Sequence, residues 1–489
     1  MELSRSNLYA GYAGQSETQA SVQTGQLDLF TKPPVERQML GAEQQVILPA
    51  SLEDTGPYTF EIRKAPHEYI DLNSSLLTGK ISVRQIDLGT GEEQTVKTDS
   101  VGICNYFAAA LLRSIDVSIA GKNVSKMTAP YLHLKMYLQS LLSYDVGAKD
   151  THLRAAGWSM DDAGKFDKLY ESEATQLRKY LVKDSRICDF AIPLTTDIFS
   201  IEKLLPDFVN ITINIEKNLD SIPLYHFEIK EPKLADGATT EEKEQYKKEK
   251  KYYDENKDLI NKANIATFKI KIHELALHVQ KVVISPALVE EHQKKLNNGG
   301  HFCYPMTRTD LRVIGQINTN SDFASISNIF TDRQPNNFVI GLMKTKNLNG
   351  SFDRNPFNFD NFKLRNLYVV ASRRIIPAGG YTPDFENKAF AKEYYTLFKN
   401  IGIHHSNNSN ALTPALFKSG CTLYGFDLTP DLCLNYHSHK KDFGSVDVHI
   451  KLDEPVKEPV SVICFASFDD VLYMDKTGRC FYEMAGGVV

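Results

Sequence analysis

Strict alternation of apolar and polar side chains recurs along most of this 489-residue chain. It is clearest at residues 115–119, 209–215, 268–272 and 446–452. A period of two is that of a β-strand with one face against a core and the other in solvent, as in a sandwich of two sheets. The chain exceeds the size at which one core keeps growing, so two or three domains are expected. The pattern therefore predicts successive all-β sandwiches.

A loop rich in Asn and Phe separates two apolar runs in the second half of the chain. Residues 335–343 (PNNFVIGLM) and 362–371 (FKLRNLYVVA) predict buried strands, and residues 375–385 (IIPAGGYTPDF) predict a Pro/Gly turn. Between the strands lies the Asn/Phe loop, residues 344–359, in which aromatic residues alternate with Asn. Such a loop is too apolar to be simply solvated, so it should pack onto a neighbour, in this chain or another.

Three segments have helical patterns. Residues 128–144 place four leucines on one face, with Thr128 as a cap, and predict a helix across the end of a sandwich. Residues 239–264 are highly charged, begin with a capping box of Thr239 and Glu242, and predict a protruding insertion. Ser285-Pro286 starts a short helix that Gly299-Gly300 ends, which predicts a connector.

These signals divide the chain into an arm and two β blocks. We expect an N-terminal arm at 1–43, a first sandwich at 44–285 that contains the 239–264 insertion, a linker helix at 286–300 and a second sandwich at 301–489. The arm is rich in Ser, Gln and Gly and would not fold alone. Its one apolar anchor is Leu27, Leu29 and Phe30, just before Pro33-Pro34.

Composition excludes several classes of protein. The formal net charge of −5 argues against a nucleic-acid-binding surface, which normally needs a basic excess. No apolar run approaches the roughly 18–20 residues of a membrane span. The seven Cys contain no C-x-x-C pair, which predicts reduced thiols in a cytosolic or nuclear setting. The N-terminus lacks the basic-then-apolar layout of a signal peptide.

Motifs for chemistry are missing from the sequence. There is no phosphate-binding loop and no G-x-S-x-G elbow, so no catalytic or cofactor-binding residue is predicted. The densest group of possible metal ligands is Cys433, His437 and His439, with His404 and His405 upstream. No carboxylate recurs there at ligand spacing, so surface loop residues are predicted rather than a metal site. Asp469-Asp470 follows an apolar run and is predicted to end that strand.

Several segments resemble one protein family. The run VIGLMKTKNLNGSFDRNPFNFDNFKLRNLYVV at residues 339–370 and YTPDFEN at 381–387 are similar to the double jelly-roll major capsid proteins of adintoviruses and Maverick/Polinton elements, relatives of adenovirus hexon. Further matches in chain order include QLDLFTKPPVERQ at 26–38, IDVSIAGKNVS at 115–125 and LYGFDLTPDLC at 423–433. The matches extend over nearly the whole chain.

The resemblance implies a specific architecture and role. The fold would be two tandem eight-stranded jelly-roll β-sandwiches with long loops and a few short helices. Three copies would form a capsomer with a six-fold outline in the shell of an icosahedral double-stranded DNA virus or virus-like element, and the protein would not be an enzyme. Partners would be neighbouring capsomers and penton or minor capsid proteins. The expected location is the virion, after synthesis in the host cytoplasm and assembly in the nucleus or cytoplasm.

The resemblance also implies roles for two sets of residues. Contacts within the trimer are expected from the Asn/Phe loop, at Asn355, Pro356, Phe357, Asn358 and Phe359. The C-terminal Met484, Gly486 and Gly487 resemble sites cut by adenovirus-type maturation proteases, and the alternative is an unprocessed chain end. A non-viral jelly-roll binding protein, lectin-like or used for attachment, is the alternative function, and a cupin-type metal enzyme is a third.

Overall fold

Strands form most of the molecule. The computed structural model describes residues 35–87, 89–97, 100–125, 130–168, 171–195, 197–227, 231, 240–257, 260–261, 267–330, 333–404, 409–429 and 443–482. In these ranges the strands are β1 (Met39–Ile47), β2 (Tyr58–Ile62), β3 (Glu68–Ile86), β4 (Glu93–Thr95), β5 (Val101–Ile103), β6 (Leu112–Ile119), β7 (Lys122–Asn123), β8 (Cys188–Pro193), β9 (Ile211–Lys217), β10 (Leu224–His226), β11 (Thr267–Ile284), β12 (Phe302–Ile317), β13 (Phe323–Ile326), β14 (Asn337–Lys344), β15 (Leu364–Ala371), β16 (Arg374–Tyr381), β17 (Leu423–Asp427), β18 (Val446–Leu452), β19 (Val460–Met474) and β20 (Cys480–Tyr482).

Helices are short and sit between strands. The α-helices of the described ranges are α1 (Phe107–Ala110), α2 (Leu132–Ser143), α3 (Val146–Asp150), α4 (Glu173–Val182), α5 (Thr240–Glu255), α6 (Pro286–Asn297), α7 (Thr345–Asn349), α8 (Ala391–Asn400) and α9 (Pro414–Lys418). Short 3-10 helices span His152–Ala156, Lys183–Ser185 and Asp197–Ser200. In this part of the chain, no helix is both long and apolar enough to cross a membrane.

The first half of the chain builds two facing sheets. One has the order β1-β11-β3, with β8 and β4 pairing in succession along the far edge of β3, and the other has the order β2-β9-β6-β7. All of these pairings are antiparallel. The short pair β5 and β10 stands apart. A hairpin joins β6 to β7: Ala120 and Gly121 both have positive φ, as a two-residue turn between twisted strands requires.

The second half repeats this arrangement. Its sheets have the orders β12-β19-β14-β17 and β13-β18-β15-β16, with β20 added to the end of β19. The eight core strands are β1, β2, β3, β6, β7, β8, β9 and β11 in the first half, and β12 to β19 in the second. When they are numbered in chain order within each half, the first strand pairs with the eighth, the eighth with the third and the third with the sixth. In the other sheet the second pairs with the seventh, the seventh with the fourth and the fourth with the fifth. This shared order is that of the jelly roll, so the predicted all-β class with two jelly rolls is confirmed.

The apolar and polar pattern of the strands agrees with the burial of their side chains. Residues Ile115, Val117 and Ile119 of β6 point into the core, as do Val446 and Val448 of β18. The central strand β19 lies between β12 and β14, and its first seven residues are buried on both faces, as its continuous apolar run predicts. Apolar side chains from both halves belong to one continuous buried cluster, so the two jelly rolls share a core.

Two predicted strand boundaries differ from the structure. The segment predicted as a Pro/Gly turn is mostly the strand β16, and its hairpin turn lies earlier, at Ser372 and Arg373, which both have positive φ. Pro377 fits because β16 is an edge strand, where no backbone donor is needed on the outer side. The first strand begins at Met39, before the predicted start at Gln44, because its exposed residues show no alternation.

The helix predicted across the end of a sandwich is instead buried between the two halves. In α2, ten of the twelve residues are buried, including the polar residues His133 and Lys135. Its N-cap is Tyr131, and Thr128 lies outside the described residues. The helix touches β6 of the first half and β12 of the second, so most of its surface is covered. The helix α6, between β11 and β12, begins at the predicted Pro286.

Candidate functional site

Possible metal ligands were sought first among the described residues. In this part of the chain, no three His, Cys, Asp or Glu side chains are placed to hold a metal ion. Of the possible ligands in the sequence, Cys433, His437, His439 and His405 lie outside the described residues. Burial raises the pKa of Cys421 to about 12, so this thiol stays protonated and unreactive at neutral pH.

The Asn/Phe loop runs through the interior, between the two halves. Phe357 and Phe359 are fully buried. The ring of Phe357 stacks on Tyr137 of α2, with ring centres 4.2 Å apart and planes 13° from parallel. Tyr137 stacks in turn on Trp158, at 5.5 Å between ring centres. A column of aromatic rings therefore joins the loop of the second half to the first half, at spacings where stacked rings attract.

The polar side chains of the same loop converge on one carboxylate, that of Asp167 in the first half. Asn347 and Asn358 each donate a side-chain hydrogen bond to it at 2.9 Å, and the backbone N–H of Asn355 donates at 3.0 Å. The guanidinium of Arg354 lies 3.6 Å away. Hydrogen bonds to a charged acceptor are stronger than those between neutral groups, so Asp167 fixes the path of the loop.

A buried ion pair between Asp161 and Arg178 supports this contact from the first half. Both side chains are almost completely covered. The second carboxylate oxygen of Asp161 accepts a hydrogen bond from Asn355 Nδ2 at 2.9 Å. Arg178 also donates to the carbonyl oxygens of Ile103, at 3.1 Å, and Ser159, at 2.6 Å. Burial opposes the charge of Arg178, but Asp161 outweighs it and holds the pKa of the guanidinium above its ordinary value.

The loop residues predicted to contact other copies lie inside one copy. Asn355, Pro356, Phe357, Asn358 and Phe359 are all buried by the chain itself. Of the two neighbours that the sequence left open for this loop, the structure has the one in the same chain. These five side chains are therefore covered mainly by their own chain, within the contact between its two halves.

Further hydrogen bonds join the two halves away from the loop. Asp197 of the first half accepts from the backbone N–H and the hydroxyl of Thr309 in β12, both at 3.0 Å, and from Lys135 at 2.9 Å. Lys203 donates to the carbonyl oxygen of Cys303 at 2.8 Å. Near the end of the described chain, Lys122 donates to the carbonyl oxygen of Cys480 at 2.7 Å. The halves are thus held at several separate places and form one block.

Asp470 lies within a strand and does not end it, contrary to the sequence prediction. The strand β19 continues to Met474, and the Asp470 carboxylate is buried. It lies 3.3 Å from the guanidinium of Arg308 and 3.1 Å from that of Arg333. Both cations also stand over the ring of Phe468, at 4.4 and 5.2 Å. This arrangement neutralises a buried carboxylate and is structural.

The strand β1 exposes several apolar side chains. Among the described residues it pairs only with β11, so none of them covers its other backbone edge, and Met39, Leu40 and Val46 are 53%, 62% and 55% exposed. The corresponding strand of the second half, β12, is contacted by α2 and by the 3-10 helix Asp197–Ser200 of the first half. A long, apolar and uncovered edge strand is a typical site for contact with another chain.

The residues that hold the halves together were missed from the sequence. Asp161, Asp167, Asp197 and Arg178 belong to no motif and follow no periodic pattern. Arg178 even lies on a helix whose Leu177 is exposed, the reverse of the usual pattern. The predicted anchor Leu27, Leu29 and Phe30 and the predicted processing site Met484, Gly486 and Gly487 lie outside the described residues.

Comparison with known proteins shows wide structural likeness and little sequence likeness. No protein-family model matches the chain. A Caenorhabditis elegans protein described as uncharacterized is 26% identical over 214 residues, which are 42% of this chain and 50% of that protein. The matched part therefore spans about half the length of this relative.

Solved structures match over almost the entire chain. A chain of the Sputnik virophage, from its cryo-EM structure, covers 97% of this chain and 95% of its own length, with a TM-score of 0.56 and 10% identity. PBCV-1 VP54, as fitted into a reconstruction of Sputnik, covers 94% and 100%, with a TM-score of 0.53 and 10% identity. The Faustovirus major capsid protein covers 91% and 92%, with a TM-score of 0.53 and 9% identity. At these identities the likeness shows the fold: two jelly rolls in one chain, as in viral coat proteins.

Proposed function

We propose that this chain is the major coat subunit of an icosahedral double-stranded DNA virus or virus-like element. The observation that carries the proposal is the repeat within the fold: both halves have the same strand order in both sheets, and they are joined into one block. Two similar blocks per chain, repeated three times about an axis, give a six-fold outline that can tile a closed shell. The structural neighbours named as virus and capsid proteins support this reading.

The sequence resemblance supports a finer assignment. The segments at residues 339–370 and 381–387 are similar to the coat proteins of adintoviruses and Maverick/Polinton elements. On this basis the shell belongs to an element of that type, and the partners are other copies, neighbouring capsomers and penton or minor capsid proteins. The net charge of −5 suits a shell that encloses DNA without gripping it.

The surface of the block offers places for contact between copies. Besides β1, the helix α4 and the chain after it expose Leu177, Tyr180, Leu181 and Ile187. Permanent interfaces are large and apolar, and Tyr is enriched in them. Exposed apolar groups on one block, next to a well-covered junction between its halves, fit a subunit whose halves are fixed and whose outer surface meets further copies.

The mass of the purified protein in solution tests the proposal. A stable particle of three times the chain mass of 55.1 kDa is expected at nanomolar and micromolar concentration, measured by mass photometry and light scattering. Trimers are expected because an assembly unit with three copies is needed to complete the six-fold outline. A monomer at every concentration would contradict the proposal and favour the jelly-roll binding protein.

A further inference from the structure

A cleft of about 490 Å³ opens between the two halves, next to the linker helix α6. Its walls are largely apolar and include Tyr69, Ile284, Leu288 and Phe302, and three charged residues, Glu36, Glu202 and Lys203, also line it. The cleft therefore combines apolar walls with charged groups of both signs. Its volume is in the range of sites that bind a few side chains of a peptide or a small ligand.

One wall of the cleft is a rigid aromatic group. The hydroxyl of Tyr69 and Nδ1 of His292 are joined by a hydrogen bond of 2.9 Å, and the His292 ring stands edge-on to Phe302 with ring centres 5.6 Å apart. Burial, together with the positive charge of Lys295, lowers the pKa of His292 below its ordinary value. The imidazole is therefore uncharged at neutral pH, and this wall can accept an apolar side chain without burying a charge.

The N-terminal segment of the chain starts at this cleft. The first described residues run along it, with Glu36, Gln38 and Met39 in its wall. Val35 and Leu40, on either side, are 70% and 62% exposed, so the apolar surface at the mouth has no cover from the described residues. Val35, the first described residue, thus lies beside the cleft, and 34 residues precede it in the sequence.

We propose that Leu27, Leu29 and Phe30 of the same chain fill this cleft. Phe30 lies five residues before Val35, and about 3.4 Å of extended chain per residue gives a reach of about 17 Å, enough to turn back into the cleft. The segment LDLF supplies three large apolar side chains that suit the apolar walls of the cleft. Attachment to the wall gives the segment a high effective concentration, which favours its own chain over a free competitor. This binding goes beyond the coat function and does not depend on it.

The reactivity of Cys303 provides the test, because this free thiol is half-buried in the cleft wall. In the full-length protein, the triple change Leu27→Ser, Leu29→Ser and Phe30→Ser is expected to raise the rate of Cys303 alkylation about fivefold, as when a mostly occupied site is emptied. Mass spectrometry of iodoacetamide-treated protein gives the rate for each cysteine. Cys188, half-buried on the distant strand β8, is the internal standard and should not change.

Two controls identify the occupant. Val22→Ser, in the same N-terminal segment, should leave the Cys303 rate unchanged, and Leu288→Asp, in the cleft, should raise it as the triple change does. Equal Cys303 rates in the parent and the triple variant would overturn the proposal, as would protection that disappears on hundredfold dilution, which would mean that another copy supplies the segment. Particle mass measured on the same samples keeps this result separate from that on trimer formation.

Discussion

At the scale of single residues, the junction between the halves depends on carboxylates that accept several hydrogen bonds each. Asp167 receives donors from three Asn residues of the Asn/Phe loop. Each donor would be left in a partly buried place without an acceptor if this side chain were shortened. The cost of unmet buried donors exceeds the gain from making the same bonds, so a single carboxylate can control a large contact.

Replacement of Asp167 is therefore expected to loosen the junction. Asp167→Ala should lower the free energy of unfolding by about 3 kcal/mol, since several buried donors lose a charged acceptor. Urea unfolding followed by Trp158 fluorescence measures this change, because Trp158 is the only Trp and lies in the aromatic column.

Asp150→Ala is the matched control. This carboxylate forms an exposed ion pair with Arg154 at 3.2 Å, and loss of such a pair should change the free energy of unfolding by no more than about 0.5 kcal/mol. Equal urea midpoints for the two variants would show that Asp167 has no special role at the junction.

His133 predicts a pH dependence at the same junction. The ring is fully buried in α2, and its Nδ1 pairs with the side chain of Asn218 at 3.0 Å. Burial lowers the pKa of His133 to about 3. Between pH 6.5 and pH 3 the unfolded chain binds a proton that the folded chain does not, so stability is complete above pH 6.5 and falls as the solution is acidified.

The change His133→Gln removes the imidazole that would bind this proton, and it tests the direction in which stability changes with pH. From pH 7 to pH 5 the parent should lose about 2 kcal/mol more stability than the variant, as expected from about 1.4 kcal/mol per unit of pKa difference. Unfolding in urea at both pH values gives the comparison. Parallel losses in the two proteins would mean that His133 is not kept neutral by the fold.

At the scale of elements, the sequence predicted strands better than their surroundings. Strands with alternating apolar and polar residues, such as β6, β9 and β18, could be predicted because each has one buried face and one face that is more open to solvent. The strand β16 could not, because Pro377 and two Gly residues at an edge look like a turn. The helix α2 was predicted from its leucines, but its burial on all sides depends on the second half, which no local pattern contains.

The candidate junction was predictable only in its apolar part. The Asn/Phe loop was expected to pack on a neighbour because of its aromatic residues, and it does. The acceptors, Asp161 and Asp167, are nearly two hundred residues away from Asn355. Nothing in the local sequence around these carboxylates distinguishes them from solvent-exposed ones, since what selects them is a tertiary contact.

The exposed strand β1 carries a prediction about association. The double change Val46→Glu and Leu48→Glu should leave the monomer stable, because both side chains are already exposed, at 55% and 71%. It should weaken the association of copies at least about tenfold, because buried like charges at an interface are costly. A mass photometry dilution series measures the change.

Leu219→Glu is the control for this experiment. Leu219 is also exposed, at 64%, but lies in the turn after β9 and not on the open edge. If the β1 variant and the control dissociate at the same concentration, contact between copies does not use this strand.

At the scale of the whole molecule, one chain contains the same jelly roll twice. The two halves have equivalent strand orders but not equivalent environments: β12 is contacted by elements of the first half, whereas among the described residues β1 pairs with β11 alone. In a ring in which the first and second halves of several chains alternate, the first strand of every half would be covered, either by the other half of the same chain or by the next chain. The described residues of a single copy therefore leave the outer edge of β1 uncovered.

Single-particle electron microscopy of the purified full-length protein tests this account most directly. We expect particles of three copies that, viewed along one axis, have six similar lobes and a hexagonal outline. Each β1 should be covered by a neighbouring copy. Particles with a single two-lobed block, or assemblies in which β1 stays open to solvent, would contradict it.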